Sequence, residues 1–289
     1  MFTTNSRSFE LKNRTQLLFS GPDRLRYLNG QVTQDLRKLS VERALPACVT
    51  NAKGRLHADV WISDLGASLL VDAHPAVAES LLARLERYIV ADDVSVEDQT
   101  LTHTLFHCLD NPSLSSTIPL AAPVQSSRLG IQGWDLRVLN ADRAAAKLAL
   151  GSGDDSGADW ELLRISNGVP AWGLELSEDS LPPEALLDRT HIDYHKGCYI
   201  GQEVLSRIKS IGHVNRRLVL LTAPSAADSR GSQLFDPSNP SRDSGHSIGI
   251  ITSITRSDQA SLALAYLKRG SELTAVLSQN ETLFKVREL

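Results

Sequence analysis

The sequence predicts an α+β protein: two α+β units with antiparallel sheets, followed by a small C-terminal antiparallel β-barrel. Three observations carry that prediction. At 289 residues the chain exceeds one ordinary core and fits two or three domains. Its first hundred residues read helix, hairpin, strand, helix, strand, the content of helices laid on one face of an antiparallel sheet. Beyond Leu218 the apolar stretches turn short and frequent and are separated by turn residues, as in a barrel of ~70 residues. The expected units span 1–98, 99–213 and 214–289.

In the first unit, Gln16–Phe19 reads as a strand. Ser20-Gly-Pro22-Asp23 opens a helix with proline at its first position, and Leu25, Leu28, Val32 and Leu36 continue at helical spacing, interrupted at Asn29-Gly30. Strands at 44–50 and 56–63 are joined by Asn51-Ala-Lys53-Gly54-Arg55, a hairpin turn with glycine at a left-handed position. Leu69–Val71 is a third strand. Pro75 starts a helix that lines up Val77, Leu81, Leu85, Tyr88 and Ile89 on one face, and Val94–Glu97 closes the unit.

The second unit begins with a strand at 101–109. A Pro/Ser/Ala-rich surface connection follows at 111–127, then a strand at 134–139 and a helix at 141–150. Gly151–Gly157 has glycines spaced like a phosphate loop, but it carries two aspartates, has no Lys-Ser/Thr and follows no strand. It reads as a linker. Asp159 is a candidate N-cap for a helix over Trp160–Ser166 that stops at Asn167-Gly168 and Pro170. Barrel strands are expected at 218–222, 248–254, 261–267, 273–277 and 282–286, with turns at 258–259 and 279–280.

Composition narrows the function classes. Hydrophobic residues make up 42% and charged residues 22%, as in an ordinary globular protein. The formal charge of −4 gives no nucleic-acid signal for the whole molecule. No apolar run nears the ~18 residues of a membrane span, and Met1–Gln16 lacks the apolar centre of a signal peptide. Three widely spaced cysteines make no disulfide framework, so a reducing compartment is expected: cytoplasmic, or the mitochondrial matrix in a eukaryote.

The chemistry concentrates in Lys196-Gly-Cys198-Tyr199-Ile-Gly201-Gln202-Glu203. An amphipathic segment follows, with Val204, Leu205, Ile208 and Ile211 on one face and Gly212 as C-cap. A cysteine just ahead of a helix N-terminus, two residues after a lysine, is placed to favour thiolate. Gly197 and Gly201 allow close backbone approach, and Glu203 and Arg207 are spaced i,i+4 to pair. The plainer reading, a small buried cysteine beside a solvated ion pair, stands next to it. His191-x-Asp193-x-His195 would bring three metal ligands to one strand face, but no fourth stands out and no metal site is expected. Three cysteines with no Cys-x-x-Cys do not hold an iron–sulfur cluster alone, so any cluster at Cys198 needs ligands from a partner.

The octapeptide KGCYIGQE resembles the signature of the YgfZ branch of the folate-binding proteins related to the glycine-cleavage T-protein. That branch includes mitochondrial iron–sulfur assembly factors. The Gly21-Pro-Asp23 turn, the Trp160 helix with Asn167-Gly-x-Pro, Trp172-Gly-x-Glu-Leu, Leu181-Pro-Pro-Glu and the terminal barrel resemble the same family, so the likeness covers nearly the whole chain. It implies a tetrahydrofolate-sized central cavity, with Trp160, Lys196, Tyr199, Gln202, Glu203 and Arg207 toward the folate and Cys198 as the reactive group. Partners would be iron–sulfur carriers or client enzymes, sharing a cluster through Cys198.

The function it implies is an accessory factor for iron–sulfur cluster assembly or repair, including in tRNA-modifying enzymes. The alternative is a tetrahydrofolate-dependent one-carbon transferase of the aminomethyl type. Against the alternative, only Asp59 remains where the T-protein branch commonly has two adjacent aspartates, and Ser166 stands where that branch has glutamate. The basic residues Arg207, Lys209, His213, Arg216 and Arg217 read as a solvated face, or as a guide for an anionic folate tail.

Overall fold

The computed structural model describes residues 7–112, 122–151, 157–239, 241, 243–257 and 259–289. Most of the expected connection at 111–127, the centre of the linker at 151–157 and residue 258 of one expected turn lie outside the described residues. In chain order the elements are β1 (Ser8–Leu11), β2 (Thr15–Ser20), α1 (Arg24–Gln31), β3 (Leu45–Thr50), β4 (Leu56–Asp64), β5 (Leu69–Ala73), α2 (Ala78–Glu86) and β6 (Ser95–Asp98). Then come β7 (His103–Cys108), β8 (Val124–Ser126), β9 (Gly133–Leu139), α3 (Arg143–Ala149), α4 (Ala158–Ser166) and α5 (Gln202–Ile211). The last are β10 (Arg216–Ala223), β11 (Gln233–Phe235), β12 (Gly249–Arg256), β13 (Ser261–Lys268), β14 (Ala275–Ser278) and β15 (Leu283–Arg287).

These strands form two antiparallel sheets and a barrel. The first sheet runs β3-β4-β5-β2-β6, the second β1-β7-β9-β8, and the barrel closes in the order β10-β13-β12-β11-β14-β15. The expected α+β class with a terminal barrel is what the chain adopts. The first sheet has two unlike faces, because side chains alternate along each strand. One face, with Leu17, Phe19, Ala58, Val60, Ile62 and Val71, packs on Leu28 of α1 and on Leu81 and Leu85 of α2. The other carries a lateral row set by register, Pro46–Trp61–Asp72–Gln16, beside the pair Cys48–Asp59. That second face meets the second sheet: Arg137 of β9 donates to Gln16 at 2.9 Å.

Three strands escape the sequence reading. β8 and β11 are three residues each, too short to show alternation, and β11 makes the barrel six-stranded where five strands are expected. The third, β1, lies within the stretch expected for the first unit but pairs with β7, far along the chain. Three local expectations also shift. Helix α4 starts at Ala158 behind Gly157 at φ 74°, so Asp159 sits in its first turn, where the helix dipole favours an acid, and is not the cap. Tyr88 lies past the end of α2 and is exposed. On α5 only Leu205 is fully buried and Ile211 is 59% exposed, so the apolar stripe is narrower than the pattern implies.

α4 packs against the barrel. Arg164, 2% exposed, donates to Glu161, Glu175 and Ser253 of β12 at 2.6, 3.0 and 2.9 Å, and the Tyr266 hydroxyl of β13 donates to the Glu175 carbonyl at 3.1 Å. Ile165, Leu176 and Leu187 pack there with Leu218, Leu262 and Leu264 of the barrel. A cavity of about 420 Å³ remains at this three-way junction. No helix among the described residues is long and apolar enough to cross a membrane.

Candidate functional site

The cavity is walled by three of the four tryptophans in the chain: Trp61 on β4, Trp160 on α4 and Trp172 in the loop after it. Their indole faces suit a flat aromatic ligand. Trp160 is braced from behind, edge-on to Phe9 at 5.4 Å and to His107 at 5.9 Å between ring centroids. The Arg128 guanidinium lies 5.0 Å from the centre of the Trp61 ring, a cation–π distance.

Behind these rings a buried charge frame fixes the wall. Arg128 makes two parallel hydrogen bonds to Asp72 (3.0 and 2.6 Å) and one to Asp135 (2.8 Å). Arg14 donates to the same Asp72 from the turn after β1, at 2.9 and 2.7 Å. Asp135 in turn lies 2.8 Å from Nδ1 of the fully buried His107. Gly133 must be glycine, because a Cβ there would stand 2.6 Å from the His107 ring. Burial opposes ionisation of Asp135, but Arg128 and His107 outweigh it and hold the carboxyl below the usual carboxylate range.

Asp59 faces the cavity from β4 without such partners: its Oδ1 is buried and has no hydrogen-bond partner. Burial pushes its carboxyl above the ordinary value, with Arg14 and His74 opposing and Asp72 adding to the rise. Burial also pulls His191, edge-on to Trp61 at 6.5 Å between ring centroids, down to about 4, so it is neutral at physiological pH. The second metal-motif member, Asp193, is taken by Lys38 and by the backbone N–H of His195. Among the described residues no group of three or more His, Cys, Asp or Glu is arranged to hold a metal ion.

The octapeptide forms a separate feature. Lys196 is buried, and its ammonium donates to the carbonyls of Asn29, Val32 and Gln34 at 2.6, 2.7 and 2.7 Å. These are carbonyls at and just beyond the C-terminal end of α1, which a cation satisfies. The expectation that Lys196 poises the Cys198 thiol is corrected accordingly: its three protons are spent on α1. Burial lowers its pKa to about 8 against the pull of Asp35 and Asp193. Gly201 caps α5 at φ 89°, and a Cβ there would lie 2.5 Å from the Asn51 carbonyl. Thr50 donates its hydroxyl to the Ile200 carbonyl, and Tyr199 is buried beneath Lys196. Gly197, by contrast, has open space around it. What the loop presents to solvent is Cys198.

Of the residues the sequence singles out toward a folate, Trp160 lines the cavity, whereas Lys196, Tyr199, Gln202, Glu203 and Arg207 do not, nor does Cys198. Glu203 and Arg207 form an exposed pair at 3.2 Å. Ser166 turns its hydroxyl back onto the Leu163 carbonyl. The reading of the sequence passes over Trp61, Asp72 and Arg128. Their signal is an interruption: His57, Asp59 and Trp61 alternate through β4, and Asp72 stands in the apolar run of β5, where a one-faced core would need no charge.

No family model matches the chain. The chain is 30% identical over 231 residues to the mitochondrial iron-sulfur cluster assembly factor IBA57 homolog of Mycosarcoma maydis, covering 74% of this chain and 56% of that protein. It is 26% identical over 219 residues to the tRNA-modifying protein YgfZ of Yersinia pestis, covering 70% and 66%. The chain thus spans little more than half the length of the first of these relatives. The glycine cleavage system aminomethyltransferase T from Bartonella henselae superposes with a TM-score of 0.79 at 17% identity, over 99% of this chain and 86% of that one, a likeness of fold. The two paired sheets and the closed terminal barrel are a T-protein-like fold, and the sequence is similar to the IBA57 and YgfZ proteins.

Proposed function

We propose that this protein is a folate-binding accessory factor that supports iron–sulfur cluster assembly or repair, including in enzymes that modify tRNA. The observation that carries the reading is the pairing of a tryptophan-walled cavity with an exposed cysteine outside it, on a loop pinned by Lys196. The cavity, about 420 Å³, falls in the usual range of small-molecule sites, and its unpartnered acid at Asp59 gives a ring-bearing ligand a polar anchor. The names of the relatives, an iron–sulfur assembly factor and a tRNA-modifying protein, point the same way. Tetrahydrofolate or a derivative would lie against Trp160, and Cys198 would meet a cluster held largely by a carrier or client protein. A one-carbon transferase would need its nucleophile at the ligand, and Cys198 does not line the cavity.

The test has two arms. Cells lacking the endogenous protein are complemented with wild type or Cys198→Ala, and their iron–sulfur enzyme activities, tRNA thiolation among them, are compared. The variant is expected to fail, and full rescue would refute the role of Cys198. In parallel, anaerobic calorimetry with tetrahydrofolate is expected to show binding that weakens about tenfold or more in Trp160→Ala, the loss of one stacking aromatic.

A further inference from the structure

Of the described residues that line the cavity, Leu289 alone follows α5 in the chain, two positions beyond the end of β15. Its side chain lies on Gly168, where a Cβ would stand 2.2 Å from Cδ2 of Leu289 and 2.8 Å from Cδ1. Its carbonyl accepts from a guanidinium N–H of Arg189. Gly168 adjoins Asn167 and Arg189 adjoins Thr190, and Asn167, Arg189 and Thr190 are lining residues exposed to solvent. Leu289 therefore spans the opening of the cavity, from the turn after α4 to the segment ahead of the Cys198 loop.

What holds Leu289 there is exchangeable. The side chain is only partly buried, packed with Trp172 on the core cluster shared with the barrel. The bond from Arg189 faces solvent, and Glu288 pairs with Arg217 at 3.0 Å while itself 67% exposed. Exposed pairs of this kind contribute little net stability. The ladder that fixes β15 to β10 ends at Arg287, so the two residues beyond it can swing away with the barrel intact. The other lip is strained: Leu186 sits at φ 62° between two short 3₁₀ turns, Pro182–Ala185 and Leu187–Arg189. Left-handed backbone is uncommon for a leucine, and such positions cluster at ligand clamps and switch segments.

We propose that Leu289 is a strap across the cavity mouth and Arg189 its latch, released when an anionic group on an entering ligand replaces the Leu289 carbonyl. A guanidinium holds a carboxylate more strongly than a neutral carbonyl, and can do so through two parallel N–H groups, so the exchange favours the ligand. A ligand of the same shape without the charge gains nothing from Arg189 and enters only when the strap opens by itself. The mouth thereby selects for a carboxylate at the solvent end of the ligand, apart from whatever the tryptophan walls select at the other. The strap holds for any occupant of the cavity, whereas the carboxylate trigger rests on the folate reading above.

The experiment compares wild type, Leu289→Ala and Arg189→Met in two measurements. Acrylamide quenching of tryptophan fluorescence in the free protein reads how open the cavity is with no ligand present, since three of the four tryptophans line it. The quenching constant is expected to rise about twofold in both variants. Anaerobic stopped-flow then follows association of tetrahydrofolate and of its diamide, in which both tail carboxylates are neutral. Leu289→Ala should speed entry of the diamide about threefold or more. Wild type should bind tetrahydrofolate about tenfold more tightly than the diamide, and Arg189→Met should lose that preference. Unchanged quenching and unchanged entry rates in Leu289→Ala would overturn the strap and leave the folate reading standing. A preference for tetrahydrofolate that survives in Arg189→Met would overturn the latch. Failure of both ligands to bind any of the three proteins would overturn the folate reading and the carboxylate trigger with it, and quenching would then decide the strap alone.

Discussion

The wall of the cavity and the Cys198 loop both depend on buried charge, but they spend it differently. Around the cavity, cation and anion alternate as Arg14, Asp72, Arg128 and Asp135, so each carboxylate and guanidinium finds its opposite and the frame is neutralised from within. In the loop a single ammonium, that of Lys196, is held by three neutral carbonyls at the end of a helix. The first arrangement joins two sheets and leaves Asp59 as the odd group out. The second joins the loop to α1 and leaves Cys198 outward. In both places the tightly bound residues are scaffold, and the group left without a partner, or left exposed, is where a ligand or partner has to act.

That contrast can be broken in stages. Arg128→Met would leave buried Asp72 to Arg14 and buried Asp135 to His107, removing the cation they share, and is expected to cost about 3–5 kcal/mol by urea denaturation. A loss near that expected for a surface pair would show the frame to be solvated. Lys196→Met comes next: it leaves three carbonyls without their donor and should cost about 2–3 kcal/mol. It should also raise the rate at which a thiol reagent modifies Cys198, since the loop loses its anchor, and an unchanged rate would count against Lys196 as the pin. The smallest effect is a pH dependence. His191 is held near 4 in the folded protein and titrates near 6.5 when unfolded, so the unfolded chain binds the extra proton between those values. Stability is therefore lost as pH falls from about 6.5 to 4. His191→Gln should flatten that slope, measured as the shift in urea midpoint between pH 7 and 5.

The loop was legible in the sequence and the cavity largely was not, for a physical reason. Gly201 and Gly212 act through contacts that a short run of chain arranges by itself, a helix start and a helix cap, whereas the partners of Lys196 lie more than 160 residues away. Two glycines at positive φ with a cysteine just ahead of them therefore stand out in order. The cavity wall gathers Arg14, Asp59, Arg128, Trp160 and Trp172 from separate elements, and their meeting depends on strand register and on one sheet facing another. The resemblance to a family supplied Trp160, but it also drew Lys196 toward the ligand, and the structure gives that residue other work. Strands β1, β8 and β11 stayed hidden because three or four residues show no period.

The strand β1 has a consequence for how the chain comes together. Leu11 pairs with Leu105, so the five-stranded sheet is an insertion whose entry and exit lie side by side at the edge of the second sheet. Zipping β1 to β7 first would mean closing a loop of roughly ninety residues before gaining a single contact from it, an entropic cost that grows with loop length. If the inserted sheet forms first, its own ladders bring those two strands together and the outer sheet closes almost without a search. The order of assembly then runs from the inside of the sequence outward, and the cavity, which needs both sheets and the barrel, is the last thing the chain completes.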